Sequence, residues 1–146
     1  MTVRLADIRV TLEHGYGLGA GLEAVLAEIV QRLEQLAAGA TPEAIDLRSL
    51  PLNPGDRANL ADTLGEGEVD ITLKLDGTSH VRETGATGVW WVEHRDARGE
   101  IIAELLEIAR IPEILNAHPG DIGRSARALR ERIRAAQRAA TSEETL

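Results

Sequence analysis

The sequence predicts an α+β fold, a mainly antiparallel sheet of roughly four to five strands with helices packed against it. Three observations carry that expectation. Val69, Ile71, Leu73 and Leu75 alternate with Asp70, Thr72, Lys74 and Asp76, the period of a strand with one covered face, and Asp76-Gly77 then reads as a hairpin turn. Leu22, Leu26, Ile29, Leu33 and Leu36 recur at three- and four-residue spacing, as on the buried face of a helix. Trp90 and Trp91, the only tryptophans, share one short apolar run, V-W-W-V.

The elements follow in order. Val3 to Leu12 alternates roughly and reads as a first strand. Gly15, Gly17, Gly19 and Gly21 favour a turn or loop. The helical pattern begins at Leu18 or Ala20, is widened by Val25 and Val30, and stops at Gly39. Thr41 and Pro42 suit the cap and first position of a short helical turn. Leu47 to Leu52 reads as extended, since Pro51 restricts Leu50. Asn53 caps a second helix, with Pro54 just inside it, Leu60 and Leu64 on one face, and Gly65 ending it.

Glu66 or Glu68 opens the sheet. His80 to Glu83 is the return strand, Gly85 to Gly88 a break, Val89 to Glu93 the tryptophan strand, and Asp96 to Gly99 the next turn. Ile101 to Ile111 carries apolar residues at both parities, which suits either a central strand covered on both sides or, in parts, a helix. Pro112 starts a short helix through Leu115 or Ala117. Asp121 then caps a terminal helix with Ile122, Ala126, Leu129, Ile133 and Ala136 as its inner stripe, and Thr141 to Leu146 reads as a loose tail. Residues 1–146 are expected to form a single domain.

Composition narrows the function. The apolar fraction is 43%, with no Phe, so aliphatic side chains must fill the core. The net charge is -8 and the pI about 5.0, which disfavours nucleic acid and anionic membranes. The charge is uneven: Arg124, Arg127, Arg130, Arg132, Arg134 and Arg138 cluster around the single acid Glu131. Such a helix is either a solvated face or a steering surface for an acidic partner. Cysteine is absent, which removes disulfides, thiolate-held clusters and thiol catalysis. No stretch reads as a signal peptide or a membrane span, so a cytoplasmic protein is expected.

Catalytic patterns are weak. His14, His80, His94 and His118 lack the spacing of a helical zinc site, although His80 and His94 lie on neighbouring strands and are expected to come near one another. Gly15, Gly17 and Gly19 lack a dinucleotide fingerprint or a Walker lysine. Glu66 and Glu68 suit an exposed junction better than an acid–base pair. No cofactor is expected and no catalytic residue is assigned. Adjacent strand residues point to opposite faces, so Trp90 and Trp91 are either packed under covers on both sides of the sheet or split, with one outside as a partner anchor.

The motifs L-P-L-N-P-G-D at Leu50–Asp56, L-G-E-G-E-V at Leu64–Val69, E-T-G-A-T-G-V-W-W-V at Glu83–Val92 and I-P-E-I at Ile111–Ile114 occur in the order in which the HupH/HyaF hydrogenase expression proteins carry theirs. The chain resembles the C-terminal conserved region of that family. The resemblance implies a non-enzymatic accessory role, as chaperone or scaffold, in maturation of nickel–iron uptake hydrogenase. It further implies binding of the iron–sulfur small-subunit precursor and contact with other maturation proteins. The residues matched are Gly65, Glu66, Gly67, Glu68, Glu83, Thr84, Gly88, Val89, Trp90, Trp91, Ile111 and Pro112. With the charge asymmetry, this makes Glu66, Glu68, Glu83, Trp90, Trp91, Arg127 and Arg134 the expected partner-binding residues. Two alternatives stand beside it: a weak metal- or cofactor-handling protein using His and carboxylates, and a homodimerisation module.

Overall fold

A computed structural model of the chain describes residues 19–145. The strand expected at Val3 to Leu12 and most of the glycine-rich loop lie outside the described residues. The chain divides after Pro112 into two units.

The first unit contains α1 (Ala20–Ala37), β1 (Glu43–Asp46), α2 (Pro54–Leu64), β2 (Asp70–Lys74), β3 (Thr78–Glu83), β4 (Val89–Arg95) and β5 (Ile101–Ile108). The strands form one five-stranded sheet in the order β1-β5-β4-β3-β2, with every neighbouring pair antiparallel. The fold is α+β, as the sequence predicts.

Local chemistry explains the helices. Leu22, Val25, Leu26 and Ile29 of α1 are buried, and Leu33 and Leu36 pack partly buried beside them. In α2, the Asn53 side chain accepts the Asp56 N–H at 2.8 Å while Asp56 reaches back to the Asn53 N–H, a reciprocal cap with Pro54 at the first helical position. Leu60 and Leu64 of α2 join the α1 residues, Ile45 of β1, Val89 and Trp91 of β4, and Leu106 and Ile108 of β5 in one core. Strand alternation places these strand residues on one face of the sheet. Each fully buried aliphatic side chain contributes about 1.5–3 kcal/mol.

Two local expectations fail here. Thr41-Pro42 does not start a helical turn; Glu43–Asp46 is a strand, with Ile45 opposite Leu106 and 5% exposed. Leu47 to Leu52 is turn and coil instead of extended. Burying Ile45 and completing the ladder beside β5 outweighs a cap signal worth about 1 kcal/mol. The final strand stops at Ile108, and β5 lies between β1 and β4, as a central strand should. On the opposite sheet face Val81 and Val92 are fully buried, so the central strands are covered on both sides.

The second unit holds a 3₁₀ turn (Glu113–Leu115) and the long helix α3 (Pro119–Glu144). His118, not Asp121, is its cap: the His118 Nδ1 accepts the Gly120 N–H at 3.1 Å, with Pro119 next. No residue of α3 is buried, and Ile122, Leu129 and Ile133 are 57%, 52% and 52% exposed. The large side chains of the stripe expected to face inward are thus more than half exposed. The helix runs through Glu144, beyond the Thr141 where the sequence suggests a tail. Among the described residues no helix is long and apolar enough to cross a membrane.

Candidate functional site

The motifs L-G-E-G-E-V and E-T-G-A-T-G-V are far apart in sequence and adjacent in space. Gly67 donates its N–H to the Glu83 carbonyl at 2.9 Å, and Glu83 donates to the Val69 carbonyl at 2.8 Å. The Glu83 carboxylate then accepts the N–H groups of Glu68 and Val69 at 3.1 and 3.3 Å. It thus supplies acceptors where the β2–β3 ladder has not yet begun. Both glycines of this contact are required by close approach: a Cβ on Gly67 would lie 2.7 Å from the Thr84 carbonyl, and one on Gly85 would lie 2.7 Å from the Leu64 carbonyl.

Thr84 completes the clasp. Its hydroxyl is buried, donates to the Val89 carbonyl at 2.8 Å and accepts the Ala86 N–H at 3.2 Å. The matched motif residues therefore tie the end of α2 to the starts of β2 and β4. Glu66 and Glu68 project from this clasp with exposed side chains, while Glu83 is half-buried and occupied by backbone donors.

Both tryptophans are buried, at 9% and 8% exposure, which is the packed one of the two alternatives. Trp91 enters the helix-side core, and the Arg82 guanidinium lies over its ring at 5.6 Å. Trp90 points to the other face and donates its indole N–H to the Ala109 carbonyl at 3.0 Å. The all-apolar run Val89–Val92 is covered on both faces, which leaves neither indole at the surface.

The histidines separate. Register sets His80 opposite Glu93 and His94 opposite Ser79, so their side chains leave opposite faces of the sheet. His80 Nε2 meets Asp70 Oδ1 at 2.5 Å, and His94 Nδ1 meets Ser79 Oγ at 2.7 Å. Among the described residues no three His, Asp or Glu gather as metal ligands.

Arg57 of α2 makes an ion pair with Glu104 of β5, whose side chain is 6% exposed. Nothing in the sequence pairs these residues; the run Ile101–Ile108 holds two acids, Glu104 and Glu107, and its pattern does not say which is buried. On α3, Arg124 pairs with Asp121, and Arg138 with Glu131 at 2.9 Å. Arg127, Arg130, Arg132 and Arg134 are exposed and have no ion-pair partner among the described residues.

The first unit is thus a five-stranded antiparallel sheet with helical cover and a backbone clasp built from the motif residues, and the second carries an exposed basic helix. Residues 20–136 match the family model described as HupH hydrogenase expression protein, C-terminal conserved region, and the chain belongs to that family. It is 37% identical over 109 residues to hydrogenase expression/formation protein HoxQ of Azotobacter vinelandii, covering 73% of this chain and 38% of that one. It is 35% identical over 92 residues to hydrogenase-1 operon protein HyaF of Escherichia coli K12, covering 63% and 32%. The solved structure of hydrogenase expression protein HupH from Thiobacillus denitrificans superposes with a TM-score of 0.75 at 37% identity, covering 80% of this chain and 98% of that chain. The chain spans less than half the length of the curated relatives it matches.

Proposed function

We propose that this chain is a non-enzymatic accessory protein, a chaperone or scaffold, in the maturation of nickel–iron uptake hydrogenase, and that it binds the iron–sulfur small-subunit precursor in the cytoplasm. The observation that carries the reading is membership in a family of hydrogenase expression proteins. The residues support it in kind. The chain has no cysteine with which to hold a cluster or donate sulfur. Its motif residues are spent on backbone architecture, and its unsatisfied charge lies on exposed surfaces, where noncovalent partners are recruited.

With both indoles buried, the contacts fall to Glu66 and Glu68 beside the clasp and to Arg127 and Arg134 on α3. Pull-down against separately expressed small and large hydrogenase subunits tests the reading. Retention of the small-subunit precursor, weakened by Arg127→Glu with Arg134→Glu, is expected. Retention of neither subunit overturns the assignment. The metal-handling alternative needs further ligands beside His80 and Asp70, and elemental analysis of untagged protein decides it.

A further inference from the structure

The apolar residues of α3 follow a strict alternation of four and three: Ile122, Ala126, Leu129, Ile133, Ala136 and Ala140. That is the seam of a coiled coil, with one position type at Ala126, Ile133 and Ala140 and the other at Ile122, Leu129 and Ala136. The large members of the seam are more than half exposed. The positions that border the seam, where a partner helix places its own charged side chains, hold Arg130 on one side and Arg132 on the other. Both are exposed, and no acid of the described residues pairs with either.

We propose that α3 is a docking helix for an amphipathic helix of another protein, one whose apolar seam is bordered by glutamate or aspartate. Charge selects this occupant over a second copy of the chain. Two α3 helices packed in parallel set Arg130 against Ser125 and Arg132 against Gln137, with no acid to neutralise either, and antiparallel packing leaves the seam equally bordered by arginine. The alanines in the seam permit close backbone approach and keep the buried area small, so the complex is transient. The proposal concerns the surface alone and stands whichever protein carries the acidic helix.

The test uses the full chain and two designed peptides of four heptads, both with leucine in the seam, one bordered by glutamate and the other by lysine. Titration by calorimetry is expected to show binding of the glutamate peptide and at least about tenfold weaker binding of the lysine peptide. Leu129→Asp is expected to weaken the first complex by at least about tenfold, with helicity and tryptophan emission unchanged. Arg130→Glu with Arg132→Glu, which leaves the seam intact, is expected to reverse the preference between the peptides. Equal binding of both peptides, binding of neither, or a dimer in light scattering that Leu129→Asp dissociates overturns the proposal. Failure here leaves the small-subunit pull-down unaffected, so the two readings fail separately.

Discussion

The Glu83 carboxylate accepts the backbone N–H of Glu68 at 3.1 Å, joining two motifs through residues fifteen positions apart in the chain. Glu83, one of the expected partner-binding residues, thereby caps the start of β2. Glu83→Ala removes the acceptor for Glu68 and Val69 together, and is expected to cost about 1–3 kcal/mol. Glu83→Gln keeps an acceptor oxygen and is expected to cost less. Hydrogen exchange checks this directly: the Glu68 and Val69 amides should lose protection in the alanine variant, while amides of β4 and β5 exchange as before.

Arg57 and Glu104 lock α2 to the sheet. Removing the cation leaves a carboxylate in a nearly closed site. A fully buried pair broken in this way costs about 3–5 kcal/mol. Arg57 is 34% exposed, so solvent screening reduces the expected loss for Arg57→Ala to about 2 kcal/mol. The double replacement Arg57→Met with Glu104→Leu should recover most of it, because neither charge is then desolvated. Urea unfolding of the three proteins separates a lost charge pair from lost packing.

The two indoles report on the cover over each sheet face. Both should emit in the blue of the usual exposed-tryptophan range and resist quenching by iodide. Trp91→Ala opens a cavity in the helix-side core and is expected to cost about 3–5 kcal/mol. Trp90→Phe keeps the apolar ring but strands the Ala109 carbonyl, an expected loss of about 1–3 kcal/mol. Strong iodide quenching in the native protein would contradict the packing described above.

Thr84 has a hydroxyl with nowhere else to go. Thr84→Val conserves shape but leaves the Ala86 N–H without its acceptor, and about 1–3 kcal/mol is expected to be lost. Thr84→Ser, which keeps the hydroxyl, should lie between that variant and the native chain. Thermal unfolding gives the order of the three, and an order with serine least stable would refute the clasp.

Local chemistry was legible where it acts alone. The Asn53-Pro54 start, the Leu22–Ile29 stripe and the alternation through Ile71 and Leu73 each predicted their element, because caps and periodicity are properties of neighbouring residues. The strand at Glu43–Asp46 was hidden because its partner, β5, lies about sixty residues away along the chain. The α3 stripe was legible as a pattern, but a pattern names a face without saying what meets it. The family motifs pointed to the right family, yet the glycines and Thr84 within them serve close backbone contacts.

By itself the sequence determined the α+β class, most helix limits, the turns and the uneven charge, since these depend on short-range sterics, hydrogen bonding and composition. Only the tertiary structure decided that His80 and His94 leave opposite faces, that both tryptophans are covered and that Glu104 finds Arg57. Those outcomes depend on strand register and on which distant surfaces meet. A shift of one residue in register reverses every side chain of a strand, and no local pattern encodes that choice.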